Sequence, residues 1–115
     1  MIQIKNINEK SEHKDGYRIL IEYRLPKEAL VDLHLKEIAP DKYYEDFDLF
    51  KKQYRDKLKK KKTIINIIRN IEKEKETITL LHCSNDNDKN CATILKEKID
   101  GYKTIKSNVS RIHGE

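Results

Sequence analysis

The 115-residue chain contains no tryptophan, three glycines, two prolines, one methionine and two cysteines. Two cysteines cannot build a secreted disulfide framework. Neither a Cys-x-x-Cys nor a His-x-x-x-His spacing occurs, so the sequence offers no metal site and implies no cofactor. No apolar run approaches 18 residues, which leaves no segment able to cross a membrane. The opening Met1-Ile2-Gln3-Ile4-Lys5 lacks a signal-peptide pattern. These absences lead us to expect a soluble, cytoplasmic protein.

What is present is charge and branched aliphatics. Charged residues make up 39% and hydrophobic residues 37%. Leu, Ile, Val and Phe number 10, 16, 2 and 2, or 30 of 115. That share exceeds the roughly 20% below which disorder becomes the default, and the length suits one domain. The net charge of +5 is unevenly spread. Residues 51–62 hold eight Lys or Arg against one Asp, a net of +7. Residues 28–48 hold seven acids against two lysines, a net of −5. Within the basic block, Lys57, Lys59, Lys60, Lys61 and Lys62 are the candidate contacts to nucleic acid or another polyanion. The plainer reading is a solvated helix end. The all-lysine stretch lacks the interleaved aromatics and Arg forks common in nucleic-acid readers. Lys, Ile and Asn also dominate the whole chain, at 44 of 115 residues.

Ile2, Ile4 and Ile7 begin a first strand. Asp15-Gly16 is a turn signal. Residues 17–23 then read as a strand buried on both faces, as in a parallel sheet, ended by Pro26. Ala29, Leu30, Leu33 and Ile38 suggest a short helix over 27–38, broken at Pro40. Asp46 can cap a helix whose apolar stripe is Phe47, Phe50, Tyr54 and Leu58. Ile64, Ile65, Ile67, Ile68 and Ile71 repeat that periodicity, with Thr63 as candidate N-cap. Residues 46–62 and 63–74 thus form two helices or one bent one. Thr77 to His82 is a second clear strand. A polar loop leads to a helix over 89–100 carrying Cys91, Leu95 and Ile99, with Gly101 as its stop. The alternation of strands and helices predicts an α/β single domain, a small and mainly parallel sheet with helices packed on it. Residues 101–115 read as a weakly ordered or short appended element after a domain spanning 1–100.

Four segments resemble the YeaO-like proteins, domain of unknown function 488. Asp15-Gly16-Tyr17-Arg18-Ile19-Leu20-Ile21-Glu22 is similar to the family's opening Asp-Gly-Tyr-Arg-Ile/Val-Leu-Val-Asp. Leu35-Lys36-Glu37-Ile38-Ala39-Pro40 resembles its Lys-Glu/Asp-Ile/Leu-Ala/Thr-Pro stretch, with Asp32 where its preceding acid falls. Phe50, Tyr54 and Leu58 fit its Phe-x-x-x-Tyr-x-x-Glu-Leu helix. Thr79-Leu80-Leu81-His82-Cys83-Ser84, followed by Asn90, Ala92 and Leu95, is similar to its closing strand and helix. The family's Arg-Leu-Trp-Pro-Arg-Gly is altered to Arg24-Leu25-Pro26-Lys27-Glu28, as though the Trp were deleted. Its aromatic-Gly-His-Asp loop is missing between Tyr44 and Phe47, and Glu22 replaces an Asp. The resemblance implies a small α/β fold and brings no established reaction.

In a parallel sheet the ligand crevice lies beyond the carboxyl ends of the strands. That rule selects the exits at Tyr23 and His82. It makes Arg18, Glu22, Arg24, Cys83 and Asn90 the candidate ligand-binding residues, and a small anionic molecule the candidate ligand, since guanidinium groups hold carboxylates and phosphates through paired hydrogen bonds. The alternative is that Arg24 forms a structural ion pair with Glu22 or Asp32. Cys83 stands after a strand and before a helix, where nucleophilic cysteines occur. Its neighbour His82 points to the opposite face of a strand, and the following loop lacks a Gly-rich, Arg-terminated phosphatase cradle. Cys91 belongs to an apolar stripe and reads as core. The residues fit an enzyme, a binding module and a purely structural or interaction protein alike.

Overall fold

A computed structural model describes residues 1–101. The expected extension from residue 102 onward lies outside the described residues. Four strands, β1 (Ile2–Asn6), β2 (Tyr17–Leu20), β3 (Leu33–His34) and β4 (Ile78–His82), form one sheet in the order β1-β4-β2-β3. Every pairing is parallel, and Ile19 lies opposite Leu80 in the β2/β4 register. The predicted small parallel α/β sheet is therefore what the chain forms.

Alternation along the strands sends successive side chains to opposite faces. Ile2, Ile19, Ile78 and Leu80 meet the helices, and Ile21 extends this row just past β2. Helix α1 (Phe47–Lys59) contributes Phe50, Tyr54 and Leu58, and α2 (Lys62–Lys75) contributes Ile65 and Ile68. A third helix, α3, covers residues 91–101 and adds Cys91, Ile94, Leu95 and Ile99. Asp46 caps α1 as expected, accepting from the Asp48 and Leu49 N–H groups.

Four local expectations are corrected. Residues 27–38 are not a helix: they hold β3 and a single 3-10 turn, Lys36–Ile38. Leu33 and His34 pair with β2 there, because an edge position satisfies their backbone better than an isolated helical turn. Thr63 does not cap α2, whose N-cap is Lys61 without a side-chain bond. Ile67 leaves the apolar stripe and is exposed. Gly101 is still helical, so it does not stop α3 within the described residues.

Among the described residues no α-helix covers the other face of the sheet. The segments around residues 7–15 and 26–32 lie over it, with Ile7, Leu20, Leu81, Ala29 and Val31 as a small apolar cluster. Beside that cluster sits a charged knot. Lys5 Nζ lies 3.1 Å from Asp15, and Arg18 Nη1 donates to Asp15 at 2.5 Å. The Thr79 hydroxyl donates to the Asp15 carbonyl at 2.6 Å. Gly16 makes the tight turn into β2 possible: its φ is +65°, and a Cβ there would meet the Thr77 carbonyl oxygen at 2.3 Å.

Candidate functional site

β2 and β4 are hydrogen-bonded neighbours running the same way, so their exits open together. A groove of about 500 Å³ lies there, lined by Glu22, Tyr23, Arg24, Tyr43, Cys83, Ser84 and Asn85. Three candidate residues, Glu22, Arg24 and Cys83, thus share one hollow.

Glu22 is 5% exposed and both its oxygens are engaged. Oε2 accepts the Cys83 N–H at 2.8 Å, tying the two strand exits together. Oε1 accepts the Tyr43 hydroxyl. Burial and this bond push the Tyr43 phenol well above its usual range. Arg24 is exposed and makes no hydrogen bond or ion pair among the described residues. It pairs with neither Glu22 nor Asp32: Glu22 is engaged as above, and Asp32 accepts the Arg18 N–H at 2.8 Å. Arg24 is therefore the one guanidinium among the described residues that line the groove, and it is exposed there.

Cys83 is exposed, but its thiol is not activated. Burial of the sulfur and then the negative charge of Glu22 raise its pKa, the opposite of what a nucleophilic thiolate needs. His82 gives no help. Its ring is fully buried on the helix face, and Nδ1 accepts the Ser84 N–H at 3.1 Å. Burial lowers the His82 pKa, with Glu22 and Glu9 acting in the other direction. Cys91 is buried in the core, and burial raises its thiol strongly.

Two expected site residues lie elsewhere. Arg18 is turned to the loop side of the sheet, where Nε donates to the Leu30 carbonyl at 2.7 Å and Nη1 to Asp15. The alternation that places Ile19 on the helix face sends Arg18 to the other, so it is a buried structural ion pair away from the exit groove. Asn90 lines an adjoining hollow of about 490 Å³. Its side chain begins α3, with Oδ1 accepting the Thr93 N–H at 3.0 Å and Nδ2 donating to the Asp86 carbonyl at 2.9 Å. Tyr43 and Ser84 line both hollows and form the wall between them. Tyr43 was not singled out from the sequence: it belongs to a loop, where periodicity carries no signal, and only the fold brings it to Glu22.

The lysine block divides on folding. Lys57 is drawn in, its ammonium 2.7 Å from Asp41 and 3.3 Å from the Tyr23 hydroxyl, so it is not part of a free basic surface. Lys59 lies 3.5 Å from Asp56. Lys60 and Lys62 are exposed and Lys61 is half-buried. Among the described residues no group of three or more His, Cys, Asp and Glu side chains is arranged to hold a metal ion. No described helix is long and apolar enough to cross a membrane.

No curated protein and no solved structure matches the chain significantly. A family model described as the inactive DUF488-N3 subclade matches residues 1–108, nearly the whole chain and eight residues past the expected domain end. With the sequence motifs set on the parallel sheet described above, that match places the chain in the DUF488 family, within its inactive N3 subclade.

Proposed function

We propose that this chain is a non-catalytic binding member of its family, and that its site is the exit groove, where Arg24 holds the anionic group of a small ligand. The observation that carries this reading is the contrast inside the groove. The guanidinium is exposed and unengaged, while the groups that chemistry would need are occupied or suppressed. Glu22 is bound at both oxygens, and burial together with the Glu22 charge raises the Cys83 thiol. Ser84 and Asn85 add polar groups to the wall. The description of the subclade as inactive agrees with such a role. A reducing, cytoplasmic setting belongs to the same reading and suits two unpaired thiols.

The test is thermal denaturation of the full chain with phosphate, citrate and nucleoside monophosphates at fixed ionic strength. At least one anion should raise Tm by several degrees, since ligand at about 100 times its Kd stabilises by about 2.7 kcal/mol. Arg24→Ala should remove that rise while leaving the ligand-free Tm within about 1 °C. A rise that survives in Arg24→Ala would move the site elsewhere.

A competing reading uses the exposed Lys59, Lys60 and Lys62, with the half-buried Lys61, as a polyanion surface. The exposure of Lys60 and Lys62 supports it; the nearby Asp56 and the withdrawal of Lys57 count against it. Its signature would be an affinity for nucleic acid that falls steeply with salt and flattens when these lysines are neutralised.

A further inference from the structure

The exit groove holds two opposite charges that do not meet. Glu22 and Arg24 both line it, yet they form no ion pair with each other. Arg24 is exposed, whereas Glu22 is 5% exposed and so more than nine-tenths buried. A buried charge is normally paired or bound to a metal, because its lost hydration is otherwise uncompensated. Glu22 departs from that rule. Its two partners, the Tyr43 hydroxyl and the Cys83 N–H, are neutral donors. No Lys, Arg or His among the described residues forms an ion pair with it.

His82 supplies no counter-charge either: burial lowers its pKa, which leaves the ring neutral near pH 7. After burial, the Glu22 charge is the next cause that raises both the Cys83 and the Cys91 thiols. An ionised carboxylate has about four acceptor sites, and two of those on Glu22 are used. The rest can accept from an ammonium brought by a ligand. On the other side of the charge balance, no lysine is among the described residues that line the groove. One guanidinium therefore faces one carboxylate. A lone guanidinium matches a carboxylate through two parallel hydrogen bonds, while a doubly charged phosphate would add uncompensated negative charge beside Glu22. Tyr23 and Tyr43 line the same hollow and leave aromatic surface exposed, which suits an apolar side chain.

We infer that the exit groove takes a free α-amino acid with an apolar side chain, its carboxylate on Arg24 and its ammonium on Glu22. The inference rests on the reading of the groove as an Arg24 site and adds the second charge to it. A zwitterion answers both charges of the groove at once. A ligand that is only an anion would leave Glu22 buried without a cation and would gain nothing from an amino group. Dependence on the amino group is therefore the distinguishing feature.

The probe is L-phenylalanine, titrated calorimetrically into the full chain at pH 7. N-acetyl-L-phenylalanine keeps the acid and loses the ammonium; L-phenylalaninamide keeps the ammonium and loses the acid. Saturable binding of L-phenylalanine is expected, with each analogue weaker by about tenfold or more, the worth of one charge-assisted contact. Glu22→Gln should bring L-phenylalanine and its N-acetyl analogue within about twofold of each other, and Arg24→Ala should abolish binding of L-phenylalanine. The two analogues on the unaltered chain decide the matter even if Glu22→Gln does not fold. Absence of saturable L-phenylalanine binding overturns the inference, and the anion series with Arg24→Ala then still judges the groove by itself. An N-acetyl analogue that binds as well as its parent, and loses binding in Arg24→Ala, overturns the amino-acid assignment and leaves the Arg24 site standing. Undiminished binding of L-phenylalanine in Arg24→Ala overturns both.

Discussion

On its helix side the sheet is held by hydrocarbon; on its loop side it is held by a buried ion cluster. Ile19, Ile78 and Leu80 press against three amphipathic helices. Among the described residues the opposite face is covered by loops and one 3-10 turn, His13–Asp15, which bring unpaired backbone and little apolar area. There Asp15 acts as a hub. Its carboxylate takes Lys5 and Arg18 as well as the Glu12 N–H, and its carbonyl takes the Thr79 hydroxyl. The lesson is that the same strands can be closed by nonspecific packing on one side and by directional bonds on the other. The directional side fixes where the segment before β2 must lie.

The comparison breaks if the two sides respond alike to truncation. Removing Asp15 leaves Arg18 buried without its carboxylate, a change that typically costs about 3–5 kcal/mol. Leu80→Ala opens a cavity and should cost about 2–5 kcal/mol, depending on how far the helices relax. Urea denaturation of both variants measures this. An Asp15→Ala cost below about 1 kcal/mol would show that the loop side is held by its apolar cluster instead.

Acid sharpens the contrast, because only the loop side should respond strongly. Burial works to raise the Asp15 pKa, but the Glu12 N–H, Lys5 and Arg18 outweigh it and hold the carboxyl below its usual range. With the folded value below the unfolded one, this contribution is complete above the unfolded value near pH 4 and is lost as pH falls through the folded one. Asp15→Asn should therefore flatten the acid limb of stability against pH. His82, on the helix side, adds a smaller slope at higher pH. Its folded pKa is lowered, so protonation opposes folding, and stability should decline as pH drops below about 6.5. His82→Gln should remove that decline between pH 7 and 5, as read by chemical denaturation.

The smallest expected effect is at the exit groove. Iodoacetamide should label Cys83 near neutral pH no faster than free cysteine, since burial and Glu22 both suppress the thiolate. A rate well above that would restore thiol chemistry to the site. Glu22→Gln should speed labelling modestly by removing the negative charge.

β1, β2 and β4 are legible from short β-branched runs bounded by turn residues, and α1 from the Phe47–Phe50–Tyr54–Leu58 stripe with its Asp46 cap. The stretch 27–38 reads as a helix because Ala29, Leu30, Leu33 and Ile38 fit a loose helical period. Two of its residues are claimed by the free edge of β2, which no local pattern records. Arg18 was misplaced for a related reason: a guanidinium on a strand says nothing of which face it serves until the neighbouring residues are assigned to a core. Glu22, Arg24 and Cys83 were found together because strand exits in a parallel sheet open side by side. Tyr43 and the groove it divides had no such rule to reveal them.

Taken alone, the order of residues determined the parallel α/β class, the helix stripes and the family, because periodicity and motif spacing are properties of the chain itself. Tertiary structure decided which charges became internal and which stayed free. Arg18 and Lys57 were drawn to Asp15 and Asp41, while Arg24, Glu45 and Asp48 were left without such partners among the described residues. The physical reason is that a charged side chain takes its role from the groups within a few ångströms, and those groups come from distant parts of the chain.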